Sequence, residues 1–126
     1  MRAPTSDAAL YAWWRAALAG GRPPVHEGEP ECGWFKTRMV RGGPWVPARI
    51  WCERDIDPET GELATPEALR CEVGGQHRDP SRAWLTLANR PISEAEFHIL
   101  SAAAVADPRM AATLAVVDLT SSPTRP

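Results

Sequence analysis

A chain of 126 residues can bury one modest core and has no room for several. Its 44% hydrophobic and 24% charged residues exclude a globally disordered polymer, and no apolar run is long enough to span a bilayer. The net charge of −2 excludes attraction to nucleic acid by overall charge, so any pull on phosphates has to be local.

The chain begins with a polar stretch over residues 1–6. A helix is expected over 7–19: Ser6 or Asp7 can cap it, alanines fill it and Gly20-Gly21 stops it. Leu10, Trp13, Trp14, Ala17 and Leu18 share one helical face, which places at least one of the two tryptophans in a core. Residues 22–31 form a Pro- and Glu-rich connector without periodicity.

The segment 34–52 reads as a β-hairpin turning at Gly42-Gly43, since paired glycines tolerate the positive φ of a tight turn. That turn pairs Val40 with Trp45, Arg38 with Pro47, Lys36 with Arg49 and Trp34 with Trp51. Met39, Phe35, Val46 and Ile50 then share the other face and want burial. The first face mixes tryptophans with cations, and Trp34, Lys36, Arg38, Arg41, Trp45, Arg49 and Trp51 are the candidate partner-binding residues. The like-charged pair Lys36 and Arg49 needs compensation, from the tryptophan rings, an acid or an anionic ligand. Pro47 has no N–H, which suggests an edge strand or a bulge.

Acids flank the hairpin: Glu27, Glu29 and Glu31 before it, and Glu53, Asp55, Asp57, Glu59 and Glu62 after it. Residues 55–66 carry acids at spacings loosely like a calcium loop. They lack the glycine at its sixth position, and a turn with Gly61 left-handed fits better. A third strand is expected over 69–73, ended by Gly74-Gly75. Asp79 with Pro80 opens a helix over 79–90. Ser93 and Glu96 form a capping box for a helix over 93–106, with Ile92 and Phe97 as a staple. Further helical turns over 109–114, an apolar run over 115–119 and a frayed tail over 120–126 complete the chain.

Catalytic and metal chemistry find little footing. Cys32, Cys52, Cys71 and His77 are too widely spaced for a zinc site built from close ligand pairs, and no metal or other cofactor is expected. His26, His77 and His98 fall in unrelated segments, and no glycine loop leads into a Lys-Ser or Lys-Thr helix. An odd number of cysteines without a recognisable leader fits a reducing compartment, so a cytoplasmic setting is expected.

The run W-F-K-T-R-M-V-R-G-G-P-W-V-P-A-R-I-W, then D-P-E-T-G-E-L and P-I-S-E-A-E-F, resembles segments of small uncharacterised proteins of phages and prophages of GC-rich proteobacteria. The likeness covers roughly residues 32–100. It carries no catalytic residue, and it implies a mobile-element setting in which small binders of host machinery are common.

The expectation is therefore an α+β domain over 1–119: a small antiparallel sheet built on the hairpin, its apolar face covered by about three helices, with a bent, barrel-like sheet as the alternative. The expected function is non-enzymatic binding of a host protein or nucleoprotein complex, including antagonists of host defence of the anti-CRISPR kind, without a membrane and in an unspecified oligomeric state. Single-stranded nucleic-acid binding is the second reading, because tryptophans beside cations can stack bases and meet phosphates. A small zinc-dependent or enzymatic module is the third.

Overall fold

The structure is a computed structural model that describes residues 3–106, so the expected elements at 109–114 and 115–119 and the tail at 120–126 lie outside the described residues. The chain forms α1 (Asp7–Leu10), α2 (Ala12–Leu18), β1 (Gly33–Arg38), β2 (Trp45–Glu53), β3 (Ala68–Val73), β4 (Gln76–Arg78), α3 (Pro80–Leu87) and α4 (Glu94–Ala106). The strands make one antiparallel sheet in the order β1-β2-β3-β4, an open meander and not a barrel.

The hairpin forms, but two residues out of the expected register. Arg38 pairs with Trp45, Lys36 with Pro47, Phe35 with Ala48 and Trp34 with Arg49. The cause is Pro44. A two-residue turn at Gly42-Gly43 would need residue 44 to donate its N–H back to Arg41, and proline has none. The chain instead bends over 39–44, where Gly43 donates to the Val40 carbonyl (3.0 Å) and Gly42 takes φ +74°. A slip of one residue would have turned the apolar set outward; a slip of two keeps it inward. The two-residue Gly-Gly turn occurs elsewhere, at Gly74 (φ +60°) and Gly75 (φ +83°), where Gln76 supplies the N–H and starts β4 opposite Val73. The sheet thus runs one strand past Gly74-Gly75, where the sequence pattern predicts its end.

The slip also removes the like-charged pair. Lys36 faces Pro47, and Arg49 lies between Trp34 on β1 and Glu72 on β3. Pro47 sits buried in a central strand, not at an edge. Its carbonyl accepts from Gly74 (2.8 Å), at the turn beyond β3, and Lys36 on the other side sends its own N–H to the Arg90 carbonyl (3.1 Å). No neighbour in the ladder asks Pro47 for a donor.

The apolar face of the sheet presents Phe35, Val46, Ala48, Ile50, Cys71 and Val73 to Trp84, Leu87 and Ala88 of α3, with Trp13 and Met39 at the margin. Asp79 caps α3 by accepting from the Ser81 N–H (3.0 Å), with Pro80 in its first turn. Trp84 is fully enclosed, edge-on to Phe35 (5.9 Å) and to Trp13 (4.9 Å), and its indole N–H has no acceptor among the described residues. That orphan costs about 1–3 kcal/mol, which the burial of a complete indole at the centre of the core offsets.

The helix expected over 93–106 starts where the capping box put it, Ser93 accepting from the Glu96 N–H (3.1 Å), but it does not join α3 on the apolar face. α4 crosses the opposite face, against β2 and β1. The Glu96 carboxylate binds Lys36 Nζ (3.0 Å) instead of closing the box. The sheet is thus covered on both sides.

The helix expected over 7–19 is broken at Tyr11 (φ −102°, ψ 10°). Beyond the break Trp13 joins the core and Trp14 goes to the other side of β1. Trp14 Nε1 donates to the Ile92 carbonyl (2.9 Å) and to the Trp34 carbonyl (3.2 Å). Ile92 returns its N–H to Trp34 (3.0 Å), so residues 90–92 run along the outer edge of β1 like a short extra strand.

Gly33 marks how tightly this corner closes. A Cβ there would lie 2.6 Å from Cδ1 of Trp14. Gly33→Ala is expected to lower stability by about 1–3 kcal/mol through overpacking. Urea denaturation measures it, and an unchanged midpoint would show that Trp14 is not wedged against β1.

Candidate functional site

Six of the seven residues singled out in the sequence, all but the loop residue Arg41, share one face of the hairpin, but the structure does not hold them as one free surface. Trp34 is stacked on Tyr11 (5.1 Å between centroids, 24° between planes) and leans on Trp14 (4.8 Å). Lys36 is neutralised by Glu96. Arg49 binds Glu72 (3.1 Å) and lies over Trp51 (4.2 Å), which in turn neighbours His77 (6.1 Å). Arg41 stands exposed in the 39–44 loop.

What remains is the end of the hairpin. Arg38 and Trp45 are directly paired, and the Arg38 guanidinium lies 4.0 Å from the centroid of the Trp45 ring. Lys36 approaches the same ring at 4.9 Å and Arg90 at 5.5 Å. Three cations therefore gather at one indole. Only Lys36 has a carboxylate partner; among the described residues Arg38 and Arg90 form no ion pair.

Beside this cluster a cavity of about 390 Å³ opens between the hairpin end and α3, lined by Arg38, Trp45, Leu85, Thr86, Asn89 and Arg90. A second hollow of about 230 Å³ shares Thr37, Arg38 and Thr86 with it and continues past Met39 to Arg78. The two adjoin as one groove whose described lining residues include three arginines and no acid; a further hollow that shares Arg78 and Ala83 with it brings in Asp79 beyond Arg78. Leu85 is 46% exposed there, an apolar residue on a helix face turned to solvent.

Arg90, Leu85 and Arg78 were not among the residues chosen from sequence. Arg90 comes to Trp45 because residues 90–92 pair with β1, a contact with no periodic signature. One signal was available: Pro91 forces the residue before it out of the helical region, so Arg90 had to be extended. Arg78 was hidden by the missed strand β4.

The remaining candidate groups do not assemble into a reaction centre. His77 lies near Glu72 (3.8 Å) and His98 near Glu94 (3.6 Å), on separate elements. Among the described residues no group of three or more His, Cys, Asp or Glu side chains could hold a metal ion. In the 55–66 turn Gly61 is left-handed (φ +73°), and Asp57 accepts from the Glu59 N–H (2.8 Å), an Asx turn. No helix among the described residues is long and apolar enough to cross a membrane. Compared with protein-family models, with curated proteins and with solved structures, the chain matches none.

The cysteines are all free thiols. Burial pushes Cys32 up to about 12, with Cys52 nearby adding to it, and pushes Cys71 up to about 11 against the pull of Arg78. Both fold as neutral thiols and are poor nucleophiles. Their folded pKa values lie above the unfolded ones, so the associated stability is present below about pH 9 and is lost as pH rises toward 11–12. Urea midpoints should therefore fall between about pH 8 and about pH 10.5, less steeply in Cys32→Ala. With a thiol reagent the half-exposed Cys52 should react first. Equal, rapid labelling of all three cysteines in the folded protein would contradict the burial of Cys32 and Cys71.

Proposed function

We propose that the protein is a non-enzymatic accessory protein that binds a partner protein through the Trp45, Arg38 and Arg90 end of its hairpin. The carrying observation is the convergence on Trp45 of two guanidiniums without carboxylate partners, at the mouth of an open groove. Tryptophan and arginine are the side chains that most often anchor protein interfaces, because each offers a large contact area together with directed polar groups. The resemblance of the hairpin sequence to phage and prophage proteins supports a host protein or nucleoprotein complex as the partner. Antagonism of a host defence system is one function such binding would serve.

The alternative, a platform for single-stranded nucleic acid, draws on the same arginines. It has less support, because stacking needs free ring faces. Tyr11 lies on Trp34, Arg38 on Trp45 and Arg49 on Trp51. Bases would have to displace these neighbours.

Capture from a proteobacterial lysate, with and without nuclease, separates the two. The expected result is a protein retained after nuclease treatment and lost with Arg38→Ala/Arg90→Ala. Both side chains are exposed, so the double variant should keep its folding free energy to within about 1 kcal/mol. A mixture that disappears on nuclease treatment would replace this reading with the nucleic-acid one.

A further inference from the structure

Resting on that reading, we infer that the groove between the hairpin end and α3 recognises a short acidic segment of the partner that carries an apolar residue among its carboxylates. The charge of the walls sets the first requirement. Arg38, Arg90 and Arg78 line the groove, and among the described residues no Asp or Glu does, Asp79 standing beyond its Arg78 end. Guanidinium groups pair with carboxylates through two parallel hydrogen bonds, a geometry that rewards a planar anion. The Asn89 side-chain amide donates to the Leu85 carbonyl (3.1 Å), which holds that stretch of the wall in place.

Apolar surface sets the second. Leu85, Met39 and the body of Trp45 lie among the arginines, so a purely ionic ligand would leave them wet. An aliphatic or aromatic side chain flanked by acids satisfies both requirements. A volume of about 390 Å³ admits one or two such side chains but no folded element.

The same features favour a short peptide over a nucleic-acid strand. The ring face of Trp45 is occupied by Arg38 at 4.0 Å, which suits an anion approaching the guanidinium and not a base approaching the ring. The chain as a whole is net negative, with Glu53, Asp55, Asp57, Glu59 and Glu62 following the hairpin. A long polyanion would meet that repulsion, whereas a segment no longer than the groove meets only its arginines.

Fluorescence anisotropy with a labelled peptide of Glu and Asp around one central Leu tests this. Binding is expected to the wild-type chain, to weaken about tenfold or more in Arg38→Ala/Arg90→Ala and measurably in Leu85→Ala, and to be unchanged in Arg70→Ala, which pairs with Trp51 away from the groove. Replacing the peptide acids with Gln and Asn should abolish it, and urea midpoints confirm that each variant is folded. No binding by the acidic peptide, or binding indifferent to the double variant, overturns the inference. Tighter binding of an oligothymidine of equal charge hands the groove to nucleic acid and overturns it as well. If the peptide fails while a lysate protein is still lost with Arg38→Ala/Arg90→Ala, the acidic segment is wrong and the binding reading stands. If that protein is retained by the double variant, the binding reading itself falls.

Discussion

The indole N–H of Trp14 is the bond on which the rest of this arrangement depends. It donates to carbonyls on two segments at once, Ile92 and Trp34, which are far apart in sequence. Without that shared donor the 90–92 segment would be held along β1 by its backbone bonds and by the burial of Ile92. Those bonds are made at the outer edge of the sheet, where water competes for each of them. Trp14 covers that edge with a ring that is 8% exposed, and Gly33 lets the ring approach because it carries no side chain. The consequence reaches the proposed site. Lys36 bonds to the Arg90 carbonyl, so fixing 90–92 fixes where the Arg90 side chain leaves the backbone, beside Trp45.

Two prolines do as much to shape the hairpin as its tryptophans. Pro44 forbids the tight turn that the glycines invite and pushes the loop out to 39–44. Pro47 then falls at a position where neither neighbouring strand needs its missing donor. These conditions are met together only in the register observed. One residue either way would turn either Phe35 or the pair Val46 and Ile50, all nearly inaccessible here, out of the core, at roughly 1.5–3 kcal/mol per side chain. That penalty far exceeds anything the loop can contribute, so the apolar parity fixes the choice to shifts of two. Pro44 then selects among them.

The α+β class, the capped starts of α3 and α4 and the two faces of the hairpin were legible because each rests on a local rule: a cap within three residues, a period of two, an apolar set of one parity. What was not legible rests on contacts between distant segments. The sequence places a helix near 93–106, but which side of the sheet it takes depends on Lys36 meeting Glu96 and on Pro47 being covered. The second Gly-Gly pair reads as an end because β4 beyond it is only the three residues Gln76–Arg78, too few for a periodic pattern. The candidate site divides in the same way. Trp45 and Arg38 were found by alternation along a strand. Arg90 was missed because it reaches them through a pairing that joins a helix end to an edge strand.

The cluster at Trp45 gathers positive charge that the described residues only partly neutralise. Cation–π contact at a partly exposed ring contributes about 0.5–1 kcal/mol. The Arg38 and Arg90 guanidiniums lie 4.0 and 5.5 Å from the same centroid, so they can be no more than about 9.5 Å apart. Their repulsion is therefore at least about 0.4 kcal/mol in bulk water and at least about 1.7 kcal/mol at an effective dielectric constant of 20. Repulsion between the cations is thus at least comparable with attraction to the ring, and the ring alone gives little net reason to hold both. On the same face of the sheet Glu96 neutralises Lys36 and Glu72 neutralises Arg49. Arg38 and Arg90 receive no such partner from the described residues, and an anion supplied from outside would convert this balance into a favourable one.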